Sequence, residues 1–114
     1  MSRRNTERKG RVSRGSDNVF ADLGFADADE RQAKLRLAYA LNQALEERGL
    51  SQADAGTVLG VTQPKVSALH NYKLVGFSVE RLMNLLTAVG LDVEVVIKRK
   101  PRSRQSARIT VVAV

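Results

Sequence analysis

The chain is 114 residues long, 43% hydrophobic and 27% charged, with a net charge of +7 at neutral pH. That length suits one domain of about 60 to 90 ordered residues plus tails, with a single modest core. The absence of cysteine and the presence of one histidine, His70, exclude disulfide scaffolds, cysteine zinc sites, thiol catalysis and a histidine-rich metal centre.

The positive charge is unevenly placed. Residues 1–14 carry Arg3, Arg4, Arg8, Lys9, Arg11 and Arg14 against Glu7 alone, a local charge of +5. Residues 98–108 carry Lys98, Arg99, Lys100, Arg102, Arg104 and Arg108 with no acid, a local +6 that leaves −4 for the remainder. Solvated tails are the plain reading of both runs, and the apolar-poor residues 1–16 read as a disordered basic tail. Residues 17–30 form an acidic arm with Asp17, Asp22, Asp27, Asp29 and Glu30 and no base. Within it Asn18 is placed to cap a short turn bearing Val19, Phe20 and Leu23, closed by Gly24, with Phe25 beyond. Such an arm either folds back on the protein's own helices or orders on a partner.

Residues 31–90 form the core domain. An amphipathic helix is expected over 31–48, with Leu37, Ala38, Leu41, Ala44 and Leu45 on one face and Gly49 at its end. Ser51 reads as an N-cap with Asp54 completing a capping box, and the helix it opens stops at Gly60. Thr62 is the expected cap of a third helix running from Gln63 to about Asn71, where Pro64 is tolerated in the first turn. After a loop containing Gly76, Ser78 caps a fourth helix whose Val79, Leu82, Met83, Leu86 and Val89 face inward and whose end is Gly90. The period then shortens to two: Val93, Val95 and Ile97 alternate with Asp92, Glu94 and Lys98, predicting a strand over 91–98. Residues 99–114 read as a basic linker with a second strand around Ile109, Val111 and Ala113. One or two strands make a poor sheet alone, so pairing across a dimer or with a partner is expected.

Two short helices joined at a glycine describe a helix-turn-helix. Ala55 and Gly56 are small enough for close crossing, Gly60 permits a left-handed turn, and Leu59, Val61, Val66 and Leu69 fill the seam. The outward residues Gln63, Lys65, Ser67, Ala68 and Asn71 are then free to meet a major groove. Gln52, Thr62, Pro64 and Lys73 complete the candidate DNA-binding set.

Residues 52–71, QADAGTVLGVTQPKVSALHN, resemble the Xre/Cro family of bacterial and phage repressors through Gln52, Ala55, Gly56, Leu59, Gly60, Val61, Thr62, Gln63, Val66, Ser67 and Leu69. A wider stretch, adding NVFADLGF, GFSVERL and LDVEVVIK, resembles the HigA-like antitoxins of type II toxin–antitoxin pairs. The resemblance implies a mainly α, lambda-repressor-like bundle of four to five helices with one or two C-terminal β-strands. It also implies that Gln52 binds a phosphate, that Gln63 contacts a phosphate or base, that Lys65 and Ser67 face bases, and that Asn71 or Lys73 touches the DNA backbone. Two features count against strong binding by one domain: Pro64 removes a backbone N–H at the helix start, and Lys65 is the only cation on the groove face. The expected partners are therefore a palindromic double-stranded DNA operator and a second copy in a homodimer; the resemblance further implies a small basic ribonuclease toxin, with Val19, Phe20, Leu23 and Phe25 as the candidate residues that hold it.

The alternatives are a module that chiefly sequesters a protein, and a free-standing phage-type repressor with no toxin. An enzyme is the least favoured class, because the sequence offers no phosphate-binding glycine loop, metal cluster or nucleophile–base pair. No catalytic residue, metal, cofactor or small-molecule ligand is expected. No apolar run approaches the roughly 18 residues of a membrane span and no signal peptide is evident, so a soluble cytoplasmic protein is expected.

Overall fold

The computed structural model describes residues 27–114, which contain four helices: α1 (Asp27–Glu47), α2 (Gln52–Leu59), α3 (Gln63–His70) and α4 (Val79–Ala88). The basic tail and the arm residues Val19, Phe20, Leu23 and Phe25 lie outside the described residues.

The long α1 begins four residues before the apolar periodicity does. Its first turns are acidic rather than apolar, and negative charge at a helix N-terminus is favoured by the aligned peptide dipoles. The Glu30 carboxylate also lies 3.7 Å from the Lys34 ammonium one turn on. From there the periodicity holds: Ala33, Leu37, Ala38, Leu41 and Leu45 are buried and Ala44 is partly buried.

Helix α4 packs chiefly on α1, and α2 chiefly on α3. Leu82, Leu85 and Leu86 of α4, with Val89 just past its end, meet the α1 face, while Val79 and Met83 pack at its margin. The Ser78 hydroxyl accepts from the Arg81 N–H at 3.0 Å, so the expected cap is formed. The end of α4 is a Schellman motif: Leu91 N–H donates to Leu86 C=O and Gly90 N–H to Thr87 C=O, with Gly90 at φ +85°.

The loop between α3 and α4 supplies core residues that periodicity does not reveal, because Leu74 and Phe77 are both buried. Its entry is strained. Tyr72 occupies left-handed backbone at φ +58°, held by Lys73 N–H on Ala68 C=O and Tyr72 N–H on Leu69 C=O.

The expected C-terminal strands are not present among the described residues. Residues 91–114 contain no strand, and no N–H from Asp92 to Lys100 donates to a backbone carbonyl of the described residues. A strand exists only when another strand satisfies its backbone groups, and none of the described residues lies paired alongside 91–98. The chain instead passes over the bundle, tied where Val93 and Val111 pack against the core and where the Arg36 Nη1 donates to the Val111 carbonyl at 2.8 Å.

Candidate nucleic-acid interface

The site is built around the α2–α3 turn. Ser51 has extended backbone, and its hydroxyl accepts from the Asp54 N–H at 3.1 Å, the Ser51 half of the anticipated capping box. Gly60 then adopts φ +71°, and Val61 N–H donates back to Gly56 C=O at 3.0 Å, which closes α2 and reverses the chain. Gly56 is where the turn comes closest: a Cβ there would lie 2.8 Å from the Val61 carbonyl oxygen and 3.6 Å from a Val66 methyl. Ala55, Leu59, Val66 and Leu69 are buried in the seam, with Val61 partly buried at its edge.

Thr62 differs from expectation. It has the extended backbone of an N-cap, but its side chain makes no capping hydrogen bond. Pro64 in the first turn offers no N–H, so one of the donors a cap would satisfy is already missing.

Helix α3 is only partly free. Gln63, Pro64 and Lys65 are exposed at its N-terminal end, and His70 and Asn71 at its C-terminal end. Ser67 and Ala68 between them are half-buried, Ala68 packing against the core. The Asn71 side chain donates to the Ser67 carbonyl at 2.9 Å, so its amide caps α3. Lys65 bends away from the helix: its Nζ donates to the Gly76 carbonyl at 3.0 Å and lies 5.0 Å from the centre of the Phe77 ring. Gln52 is exposed at the start of α2, and Lys73 is exposed just past α3.

Two contributors escape sequence periodicity. Arg81 of α4 lines a shallow open groove with Gly56, Thr57, Gly60, Gln63 and Lys65, adding a second cation to this face. A cation in the first turn of a helix opposes the helix dipole, and that misfit is the one sign of Arg81 legible along the chain. Asn42 of α1 donates through Nδ2 to the Leu69 carbonyl at 3.0 Å in a part-buried setting, tying the end of α3 to the longest helix. Its signal was an amide one position beyond the apolar stripe, which by itself is ordinary.

A family model described as a helix-turn-helix domain matches residues 19–98. A solved structure titled as an XRE family transcriptional regulator is 66% identical, with a TM-score of 0.75, over 78% of this chain and 100% of that one. The chain belongs to the XRE helix-turn-helix family. A search of curated proteins found no match. In this XRE-family protein α2 and α3 are the helix-turn-helix pair, with α1 and α4 as their support. Among the described residues there is no cluster of three or more His, Asp or Glu able to hold a metal ion, and no helix is long and apolar enough to cross a membrane.

Proposed function

We propose that this XRE-family protein is a sequence-specific DNA-binding repressor. It acts in the cytoplasm as a homodimer on a palindromic operator, with one α3 in the major groove of each half-site and half-sites about 34 Å apart. The observation that carries the reading is the exposed amino end of α3: Gln63, Pro64 and Lys65 stand clear while Val66 and Leu69 directly behind them are buried. In this reading Gln63 reads a base edge. A glutamine pairs with adenine through two hydrogen bonds, worth about 1–3 kcal/mol of discrimination. Gln52, Lys73 and Arg81 fix the domain on phosphates, and Ser67 and Ala68 make close contact along the groove floor.

The Gln63→Ala variant tests this directly by gel retardation. Operator affinity is expected to fall about 5- to 100-fold at one base position, with affinity for random DNA retained. Equal losses on both DNAs would remove Gln63 as a base reader.

The finer reading is an antitoxin that represses its own operon, supported by the resemblance of residues 18–25, 50–69, 76–82 and 91–98 to HigA-like antitoxins. Its partner is a small basic ribonuclease, for which the acidic, aromatic-bearing arm at 17–30 has complementary charge. Deleting residues 1–25 is expected to abolish toxin capture while operator binding survives. A chain with no protein partner at all is the free-standing repressor, and one that favours no operator over random DNA is the sequestering module.

A further inference from the structure

The segment 92–100, Asp-Val-Glu-Val-Val-Ile-Lys-Arg-Lys, has the two-residue alternation of a strand, and among the described residues no backbone pairs with it. Val93 rests on the edge of the core. Beyond it Val95, Val96 and Ile97 are 76%, 74% and 93% exposed, three consecutive apolar side chains in solvent beside unpaired backbone. Unpaired N–H and C=O groups in an apolar run are a template for another strand. We propose that this segment is the dimer interface: two copies pair as an antiparallel ribbon whose two-fold axis passes through Val96. The inference deepens the homodimer assumed above by naming its surface and register.

Charge and apolar order select the occupant and the register together. In a two-fold antiparallel pair, residues equidistant from the axis stand opposite each other. With the axis at Val96, Glu94 faces Lys98 of the second copy, Asp92 faces Lys100, Val95 faces Ile97, and Val96 faces itself. Moving the axis to Val95 sets Val96 against Glu94. Moving it to Ile97 sets Val95 against Arg99 and Val96 against Lys98. Only the Val96 register gives both acids a lysine and all three exposed apolar residues an apolar partner. Lys100 is available for this, since its bond to the Arg104 carbonyl is solvent-exposed. Alternation also puts Val95 and Ile97 on the side of Val93, so the ribbon carries an apolar strip from one core to the other. A self-complementary segment of this kind fits a second copy of itself better than an unrelated partner.

The chain has no cysteine, so single-cysteine variants of the full-length protein read the register without background. Residues facing across an antiparallel pair have Cα atoms about 4.5–5.5 Å apart, within disulfide range. Under mild oxidation Val96→Cys is expected to give a covalent dimer, with Val95→Cys and Ile97→Cys much less efficient. In sedimentation equilibrium Glu94→Lys and Lys98→Glu are each expected to weaken the dimer about tenfold. Mixing those two variants restores association, because every 94–98 pair in the heterodimer again joins opposite charges. A monomeric wild-type chain, a dimer indifferent to Glu94→Lys, or equal cross-linking at 95, 96 and 97 would each overturn the proposal. Operator binding is measured separately: a dimer of this register with no operator preference overturns the repressor reading alone, and operator binding by a monomer overturns the interface alone.

Discussion

At Gly56 a single hydrogen occupies the space between α2 and the turn that follows it. A methyl group there would stand 2.8 Å from the Val61 carbonyl oxygen, a backbone atom that cannot move aside without shifting α3. Gly56→Ala is therefore expected to cost about 1–3 kcal/mol in thermal or urea unfolding, with weakened DNA binding. Gly60 is the complementary case: its surroundings are open, so Gly60→Ala meets only the left-handed backbone cost of about 1–2 kcal/mol. If the Gly60 variant bound DNA worse than the Gly56 variant at equal folded fraction, the close approach at Gly56 would not be what sets the angle of α3. Lys65 carries a second prediction at this scale. Its amine is drawn toward Gly76 and Phe77, at the flank of α3 where a phosphate would pass. Lys65→Ala should lower affinity for all DNA alike and reduce the salt slope of binding by about one. A loss confined to operator DNA would return Lys65 to the base-reading role that the family resemblance implies.

Helices α2 and α3 have eight residues each, too short to persist without caps and tertiary support. They are supported differently. Ser51 makes its side-chain bond to the Asp54 N–H, whereas Thr62 makes none. Ser51→Ala should cost about 1 kcal/mol and Thr62→Ala only a small part of that, measured as paired unfolding curves. The far end of α3 is held by the Asn71 amide on Ser67 and by Asn42 reaching from α1 to Leu69. Asn42→Ala removes one donor from the Leu69 carbonyl, which keeps the Tyr72 N–H at 3.1 Å, and is expected to destabilise by about 0.5–1.5 kcal/mol, with faster amide exchange in the last turn of α3. Unchanged exchange there would mean that packing of Val66 and Leu69 holds the helix unaided.

For the whole molecule, the net charge of +7 and the groove face are separate matters. The helices that present Gln63 and Lys65 belong to a section with net −4, while both basic runs fall outside residues 31–90 of the sequence. In the proposed mode of binding the runs supply long-range, sequence-independent attraction to phosphate, and α3 supplies selection. Removing residues 1–14 is expected to flatten the dependence of affinity on salt while leaving the preferred operator the same. A changed preference would mean that the tail reads sequence. The proposed dimer acts at the same scale, because two helices presented together would bind two half-sites where one domain with few groove-face cations binds weakly.

Local residue types determined the helical elements. The 3.6-residue period of Leu37, Leu41 and Leu45, the caps at Ser51 and Ser78, and the glycines at 49, 60 and 90 act within one or two turns, so their consequences can be read along the chain. The helix-turn-helix and the exposure of Gln63 and Lys65 followed from the same local rules. What the tertiary structure decided are the effects that need distant partners. Leu74 and Phe77 became core, Asn42 found Leu69 twenty-seven residues away, and Arg81 joined the groove face from another helix. The strand pattern at 91–98 is the clearest division between the two. Alternation fixes which residues share a face, but a strand forms only where a second backbone meets its N–H and C=O groups, and no segment of the same chain does so among the described residues.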